Sequence, residues 1–246
     1  MGRFDDRVVV VTGAGGGLGR ASSVQFANEG ARVAVLDVAE DRARETAELA
    51  GNGARPYVCD VTDLGNVEAV VKAVATEMGR PRVLVNNAGI GGFYKTHEAD
   101  PDTWTRIIAV NLTGSYNMAR TVIPHLLDGG GVIVNICSTA SFIGQPYSAA
   151  YCASKGGLVQ LTRALAAEYV SDGIRVVGVA PGGMATEMIK SWRPPEGVDN
   201  KFLFRLMSKM GASTPEQVAR SVVYLASDEA DYVTGAVLSV DGGVTL

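Results

Sequence analysis

An open α/β fold, in which a parallel sheet is wound in both directions and carries helices on both faces, is what the sequence predicts. Three observations predict it. Short apolar runs rich in β-branched residues recur along the chain, most of them separated by stretches of helical pattern. The runs do not alternate apolar with polar residues, as strands buried on both faces would not. Glycine is abundant, 30 of 246 residues against 9 prolines, and it gathers where the runs end. Strand and helix in alternation mean parallel strands joined by right-handed crossovers.

The runs fall at Val8 to Val11, Val33 to Leu36, Tyr57 to Cys59, Val83 to Val85, Val132 to Cys137, Ile174 to Ala180 and Ala236 to Val240. Helical periodicity is predicted for Arg20 to Asn28, Asp41 to Ala50, Val67 to Met78, Trp104 to Leu127, Ala149 to Tyr169 and Pro215 to Ala226. No linker, charge run or internal repeat divides the sequence, so residues 1–246 read as one domain. The long stretch without clear periodicity is Met184 to Ser213, which holds Pro194 and Pro195. Ligands of an open parallel sheet lie beyond the carboxyl ends of its strands, so 184–213 is predicted to be a substrate lid.

Composition excludes several functions. Lys plus Arg number 22 and Asp plus Glu 26, a net charge of −4, which argues against nucleic acid as a partner. At 47% hydrophobic residues the chain has ample material for a core and is not a disordered one. Cys59, Cys137 and Cys152 form no CxxC, and His97 and His125 stand far apart, so no metal site is expected. An odd cysteine count suits a reducing cytoplasm better than a disulfide framework. Residues Met1 to Arg7 carry acids and no apolar region, which does not fit a signal peptide. The long uncharged stretch from Gly129 to Ser154 is broken by Ser, Gln, Pro and Gly, so no membrane span is expected.

The first run leads into Thr12-Gly13-Ala14-Gly15-Gly16-Gly17-Leu18-Gly19 and then a helix beginning near Leu18. Glycines let a backbone turn sharply and approach a pyrophosphate, and a helix N-terminus offers free N–H groups. The spacing is TGxxxGxG through Thr12, Gly13, Gly17 and Gly19; GxGxxG fits no register, and the absence of GK[ST] excludes a P-loop kinase or GTPase. Asp37 closes the second run, 24 residues after Gly13, near the offset at which a carboxylate meets the ribose hydroxyls of NAD. The same carboxylate would repel the 2′-phosphate of NADP, and only Arg42, folding back from the next helix, could soften that repulsion. NAD is therefore the expected cofactor.

Tyr151 and Lys155 lie four apart in a helical pattern and leave one helix face, while Ser138 ends the run Val132 to Cys137, where strand termini present functional side chains. Together with the glycine motif, Asn86-Asn87-Ala88-Gly89, Asn111 and Pro181-Gly182, these residues make the chain resemble the classical short-chain dehydrogenase/reductase family, over nearly its whole length. The resemblance implies a Rossmann-type sheet and a hydride exchanged between the nicotinamide and a secondary alcohol, diol or ketone. It implies that Tyr151 is the general acid/base, that Ser138 holds the reacting oxygen, that Lys155 binds the nicotinamide ribose, and that Asn111 anchors a water of the proton relay. It carries over Gly13, Gly17, Leu18, Gly19, Asp37, Asp60, Val61, Asn87, Ala88, Gly89, Pro181, Gly182 and Thr186 as cofactor contacts. Gly183 stands where many relatives carry a bulkier residue. A tyrosine acting as base near neutral pH needs its pKa of about 10 lowered by roughly two to three units, and the expectation is that the Lys155 ammonium and the positive nicotinamide supply this.

The lid contains Met184, Met188, Ile189, Trp192, Phe202, Phe204, Met207 and Met210, an apolar set suited to an uncharged substrate. Phe93, Tyr94 and Phe142 to Tyr147 are expected as the other walls. Lys190, Arg193, Lys201, Arg205 and Lys209 outnumber Glu187, Glu196 and Asp199 there, which keeps a 3-oxoacyl-[acyl-carrier-protein] reductase as the alternative reading. A catalytically silent NAD-binding protein of the same fold would normally lack the serine, tyrosine or lysine. The resemblance further suggests a homotetramer built on the helices Trp104 to Leu127 and Ala149 to Tyr169 and the last strand, with Val159, Leu165 and Ala166 expected at the contact.

Overall fold

Adjacent residues of a strand point to opposite faces, so a run of four valines must feed two cores at once. Strand β1 (Val8–Thr12) does this: Val9 and Val11 join one buried cluster, Val8 and Val10 the other. The computed structural model describes residues 2–199, 201–204 and 206–246. Around β1 it arranges β2 (Arg32–Asp37), β3 (Arg55–Val58), β4 (Pro81–Asn86), β5 (Gly131–Ile136), β6 (Ile174–Pro181) and β7 (Val237–Val240) as one parallel sheet in the order β3-β2-β1-β4-β5-β6-β7. The chain winds outward in both directions from β1 and β4, and the crevice between their ends is the topological switch point.

Helices α1 (Gly17–Asn28), α2 (Glu40–Ala50) and α9 (Pro215–Ala226) cover one face, through Phe26, Ala43, Val218 and Val222. Helices α3 (Leu64–Glu77), α5 (Gly114–Leu126) and α6 (Ala149–Tyr169) cover the other, through Val67, Val74, Met118, Val122 and Leu165. Each fully buried Val or Leu contributes roughly 1.5–3 kcal/mol of transfer free energy. A polar line crosses the apolar second layer: Asn86 and Asn135 face each other in the β4–β5 register, the Asn86 amide donates to Asn135 Oδ1 at 2.9 Å, and the Asn135 amide donates to Thr162 Oγ1 at 2.9 Å. This line fixes β4, β5 and α6 in one register because a slip would strand buried amides.

Four sequence expectations are revised. The run at Tyr57 becomes β3, an edge strand with mostly exposed residues rather than one buried on both faces, and β7 at the opposite edge is only half-buried. The helix expected over Trp104 to Leu127 is α4 (Pro101–Ile108) and α5 joined by a π-helical turn, Ala109–Thr113, an irregularity to which a periodicity argument is blind. Val159, Leu165 and Ala166 lie on the buried face of α6 and so cannot form a subunit contact. The lid carries two short helices, α7 (Glu187–Ser191) and α8 (Lys201–Phe204), and a parallel bridge between Met184 and Ser213 closes its base.

Candidate active site

The switch-point crevice is built by glycines that admit no side chain. Thr12 Oγ1 accepts the N–H groups of Asn87 and Ala88, both at 3.0 Å, and so fastens the end of β1 to the end of β4. A Cβ on Gly13, whose φ is +59°, would stand 2.7 Å from Ala88 Cα. On Gly19 it would stand 2.3 Å from the Gly13 oxygen. The Asn87 amide donates to the carbonyls of Thr12 and Gly13 at 2.9 Å, so this side chain braces the loop from beneath. Above the loop α1 starts at Gly17 with no capping side chain and no acid in its first turn, which leaves its N–H groups for an anion. Leu18 is buried beneath. The Gly loop thus fits a pyrophosphate.

Asp37, the last residue of β2, accepts from Gly15 N at 2.8 Å through one oxygen and from Ala39 N at 3.0 Å through the other. Its carboxylate is held at the lip of the crevice with no ion-pair partner among the described residues. Arg42 is exposed and begins beside Gly15, with its Cβ 2.7 Å from where a Gly15 Cβ would stand, and makes no hydrogen bond among the described residues. Asp60 is exposed after β3; one carboxylate oxygen accepts from the Thr62 amide and hydroxyl. Val61 packs inward, and its carbonyl accepts from Asn117 Nδ2 at 3.0 Å. Across the crevice, Pro181 ends β6 and Gly182 is pressed against Asp241, a Cβ there falling 2.9 Å from its Cα. Thr186 lies opposite Gly17, its methyl 3.4 Å from the Gly17 Cβ position. Nothing described lies within 4 Å of a Cβ on Gly183.

One turn of α6 separates Tyr151 from Lys155, and β5 delivers Ser138 to meet them. Ser138 begins a short 3₁₀ turn, Thr139–Ser141, and its hydroxyl accepts from Ala140 N at 3.2 Å. Ser141 Oγ accepts from Ser138 N and donates to the Lys155 carbonyl at 3.0 Å, which locks that turn to α6. The buried Lys155 ammonium donates to the Ile136 carbonyl at 2.7 Å and lies 5.9 Å from the centre of the Tyr151 ring. Its Nζ and Asn111 Oδ1 each lie 3.4 Å from the point where a Gly89 Cβ would stand, so Gly89 opens the space between them.

Asn111, fully buried in the π turn, has its side chain committed. Oδ1 accepts from Ile90 N at 2.8 Å, and Nδ2 donates to Ile90 O at 2.9 Å and to Ser154 Oγ at 3.0 Å. Ser154 in turn donates to the Tyr151 carbonyl at 2.8 Å. The amide therefore clamps the loop after β4 to α6.

Burial governs the titration of both catalytic candidates. It lowers Lys155 to about 8, because an ammonium loses more hydration than one carbonyl returns. It raises Tyr151 above its ordinary value, chiefly by desolvating the phenolate; a hydrogen bond with Ser138 acts in the other direction, and the thiols of Cys152 and Cys137 add to the rise. The lysine-driven lowering expected from the sequence is not what the protein by itself produces.

Trp192 completes the site in a way the sequence does not announce. Its ring stands edge-on to Tyr151, with centroids 5.3 Å apart, and to Phe93 at 5.1 Å. The loop that carries Phe93 is tied to the start of α6: Ser148 Oγ donates to Gly92 O, and Tyr94 accepts from Ala150 N. Of the other expected walls, Tyr147 accepts from Tyr94 N at 2.7 Å through its carbonyl, whereas Phe142, Met188, Ile189, Met207 and Met210 are exposed. Arg205 and the side chains of Lys190, Phe202 and Phe204 lie outside the described residues. Among the described residues no cluster of three or more His, Cys, Asp or Glu gathers, and no helix is long and apolar enough to cross a membrane.

Known proteins similar to this chain in sequence and structure include both dehydrogenases and reductases. A family model described as enoyl-(acyl carrier protein) reductase matches residues 13–245. Meso-2,3-butanediol dehydrogenase of Serratia marcescens is 39% identical over 244 residues, which cover 99% of this chain and 96% of that one. Among solved structures, a protein described as a short-chain dehydrogenase/reductase from Burkholderia xenovorans is 35% identical, with a TM-score of 0.91 and coverage of 100% and 98%. A 3-ketoacyl-(acyl-carrier-protein) reductase from Brucella melitensis, complexed with NADH, is 33% identical, with a TM-score of 0.92 and coverage of 99% and 100%.

The depressed Lys155 pKa gives a sign-specific stability test. At pH 7 the folded and unfolded chains both hold this proton, so the folded state carries the full cost of burying the charge. Above about 8 the folded state sheds the proton while the unfolded state keeps it to about 10.5, so stability rises with pH. Relative to Lys155→Met, which has no such charge, wild type should gain on the order of 1 kcal/mol between pH 7.5 and 9 in urea unfolding. A difference that stays constant over that interval would show that Lys155 is not depressed.

Proposed function

Because the chain belongs to the short-chain dehydrogenase/reductase family, we infer that it is an NAD-dependent oxidoreductase acting on CH–OH groups, interconverting a small secondary alcohol or diol with its ketone. The observation that carries this reading is the meeting of Ser138, Tyr151 and Lys155 at the mouth of a glycine-built crevice whose lip is a carboxylate. Residues 1–246 act as one domain, since β7 extends the same sheet that carries the Gly loop.

Gly13, Gly17, Leu18 and Gly19 hold the pyrophosphate, and Asp37 accepts from the ribose hydroxyls. Asp60 and Val61 face the adenine, with Asn87, Ala88 and Gly89 along the adjoining ribose. Pro181, Gly182 and Thr186 flank the nicotinamide, and Lys155, beside Gly89, reaches its ribose. When bound, NAD supplies the acceptor or donor of hydride and, when oxidised, a positive charge near the phenol. Ser138 donates to the substrate oxygen, and Tyr151 exchanges its proton with that oxygen. Since burial keeps Tyr151 protonated, the protein by itself is set as a general acid, the state that ketone reduction uses. Alcohol oxidation uses the phenolate and so gains as the pH rises. Asn111 serves as a positioning residue that keeps α6 and the Gly89–Ile90 backbone at a fixed separation.

A 3-oxoacyl-[acyl-carrier-protein] reductase is the second reading, favoured by the basic residues of the lid and by the Brucella neighbour, which is described as complexed with NADH. The aromatic cover over Tyr151 favours the small alcohol. We assign the protein to the cytoplasm, in line with its three free cysteines. We also assign it to a homotetramer: Trp104, Tyr116 and Val170 are about half exposed on the α4–α6 side, and Leu238 and Tyr232 are exposed about β7, apolar faces of the kind two-fold contacts cover.

Three measurements test these assignments. Tyr151→Phe should lose about 10²- to 10⁴-fold in turnover while NADH affinity, read by fluorescence titration, changes little; retention of more than roughly a tenth of turnover would place the acid/base elsewhere. Asp37→Ala combined with an arginine at the exposed Val38 should shift the cofactor preference from NAD toward NADP, and a wild type already faster with subsaturating NADP(H) would overturn the role of Asp37. Light scattering should give about four times 25.7 kDa, and a species of 25.7 kDa at micromolar concentration would refute the tetramer.

A further inference from the structure

Trp192 holds a buried donor with nothing to give it to. Its Nε1 is out of reach of solvent and finds no acceptor among the described residues. A buried tryptophan N–H ordinarily has a partner, and leaving one unpaired is costly. Phenylalanine would fill the same edge-on position against Tyr151 and Phe93 without that cost, so apolar packing does not account for an indole here.

The position of the ring says where the partner belongs. A Cβ on Gly91 would fall 2.5 Å from Trp192 Cζ2, 2.9 Å from Trp192 Cη2 and 2.8 Å from Tyr151 Cδ2, so the two rings flank a single point. Cζ2 belongs to the indole edge that also carries Nε1, only one ring atom away. The edge of the tryptophan that meets the Tyr151 ring is thus Cζ2–Cη2, with the unpaired N–H two bonds from Cζ2 and the two ring centres 5.3 Å apart. Gly91 is what allows the approach, since any side chain there would wedge the two rings apart.

We propose that Trp192 is a specificity-determining residue whose indole N–H donates to a second oxygen on the substrate, one borne by the carbon next to the reacting carbinol. The substrate class is then the vicinal diol and its hydroxyketone rather than the simple secondary alcohol. A monoalcohol would leave the N–H buried and unpaired, and a site built around such a bond discriminates against the analogue that lacks the partner. The proposal rests on Tyr151 being the acid/base, which fixes the place of the reacting oxygen. Phe93 and the tryptophan ring supply the apolar wall for the remaining carbons.

The test compares 2,3-butanediol with 2-butanol, which share a carbon skeleton and differ by one hydroxyl, in the full-length wild type and in Trp192→Phe, with NAD. Wild type should favour the diol in kcat/KM by threefold or more, and Trp192→Phe should lower the diol-to-monoalcohol ratio by about threefold to tenfold, the worth of one neutral hydrogen bond, mainly through KM. Any general loss from lid repacking cancels in the ratio. Trp192→His, which keeps a ring N–H, should recover part of it. A ratio unchanged in Trp192→Phe overturns the proposal, as does a wild type that treats the two alcohols alike, which needs no variant to fold. Tyr151→Phe separates the two levels of inference. If it turns over both alcohols like wild type, the acid/base reading fails and the proposal with it; if it loses both while the ratio ignores Trp192, only the proposal fails.

Discussion

One buried cation organises the catalytic half of the molecule. The Lys155 ammonium leaves water for a pocket in which its described protein acceptor is the carbonyl of Ile136, the last residue of β5. That bond joins the sheet to α6 at the level where Ser138 emerges, and Ser141 repeats the link by donating to the Lys155 carbonyl. One helical turn back, Tyr151 comes to the same side of α6 because residues four apart share a face. A charge with so little compensation would be poor economy in an ordinary core, and its depressed pKa measures the imbalance. It makes sense in a crevice whose other wall, at Gly89, is kept bare of side chains.

The cofactor half depends on a different constraint, close approach of backbone to backbone. Gly13 against Ala88 and Gly19 against Gly13 leave no room for a methyl group, so the loop after β1 and the end of β4 behave as one piece. Thr12 and Asn87 hold that piece with four hydrogen bonds that no ligand needs to disturb. Asp37 belongs to it as well. By accepting from Gly15 N, the carboxylate proposed to read the ribose also sets the height of the Gly loop, so on that proposal discrimination between cofactors and the shape of the phosphate site are mechanically linked.

The apolar runs made most of the sheet legible, because strands buried on both faces leave few alternatives for six consecutive residues such as Val132 to Cys137. They misjudged the margins. Arg55 to Val58 is a strand by its pairing with β2 rather than by its own pattern, and pairing is not written in a local window. The candidate catalytic residues are legible as types at spacings, but their electrostatics are not: whether Tyr151 gains more from a neighbouring cation than it loses to burial is a contest decided by packing. Trp192 was visible only as one apolar residue of a lid, since no spacing connects it to Tyr151, 41 positions earlier. Asn111 stands out in the sequence as a candidate, but its clamp on Ile90 depends on a turn that helical periodicity treats as regular.

That turn, Ala109–Thr113, bears on how the chain can vary over evolution. A π turn holds one residue more than the α-helix it interrupts, and each residue advances a helix by about 100°. Removing one of the four residues other than Asn111 would restore a regular helix: five π residues and four α residues advance by nearly the same angle, so α4 and α5 keep their faces while Asn111 loses the bulged backbone that carries its clamp on Ile90. The segment is therefore constrained in length more than in composition: Val110 and Leu112 can be exchanged for other apolar residues, but a single-codon deletion between them is barred. Such a deletion is far better borne at the exposed turn of Gly51 to Gly53, where a Cβ on either glycine meets nothing within 4 Å. In a set of relatives, alignment gaps should gather at the second place and avoid the first.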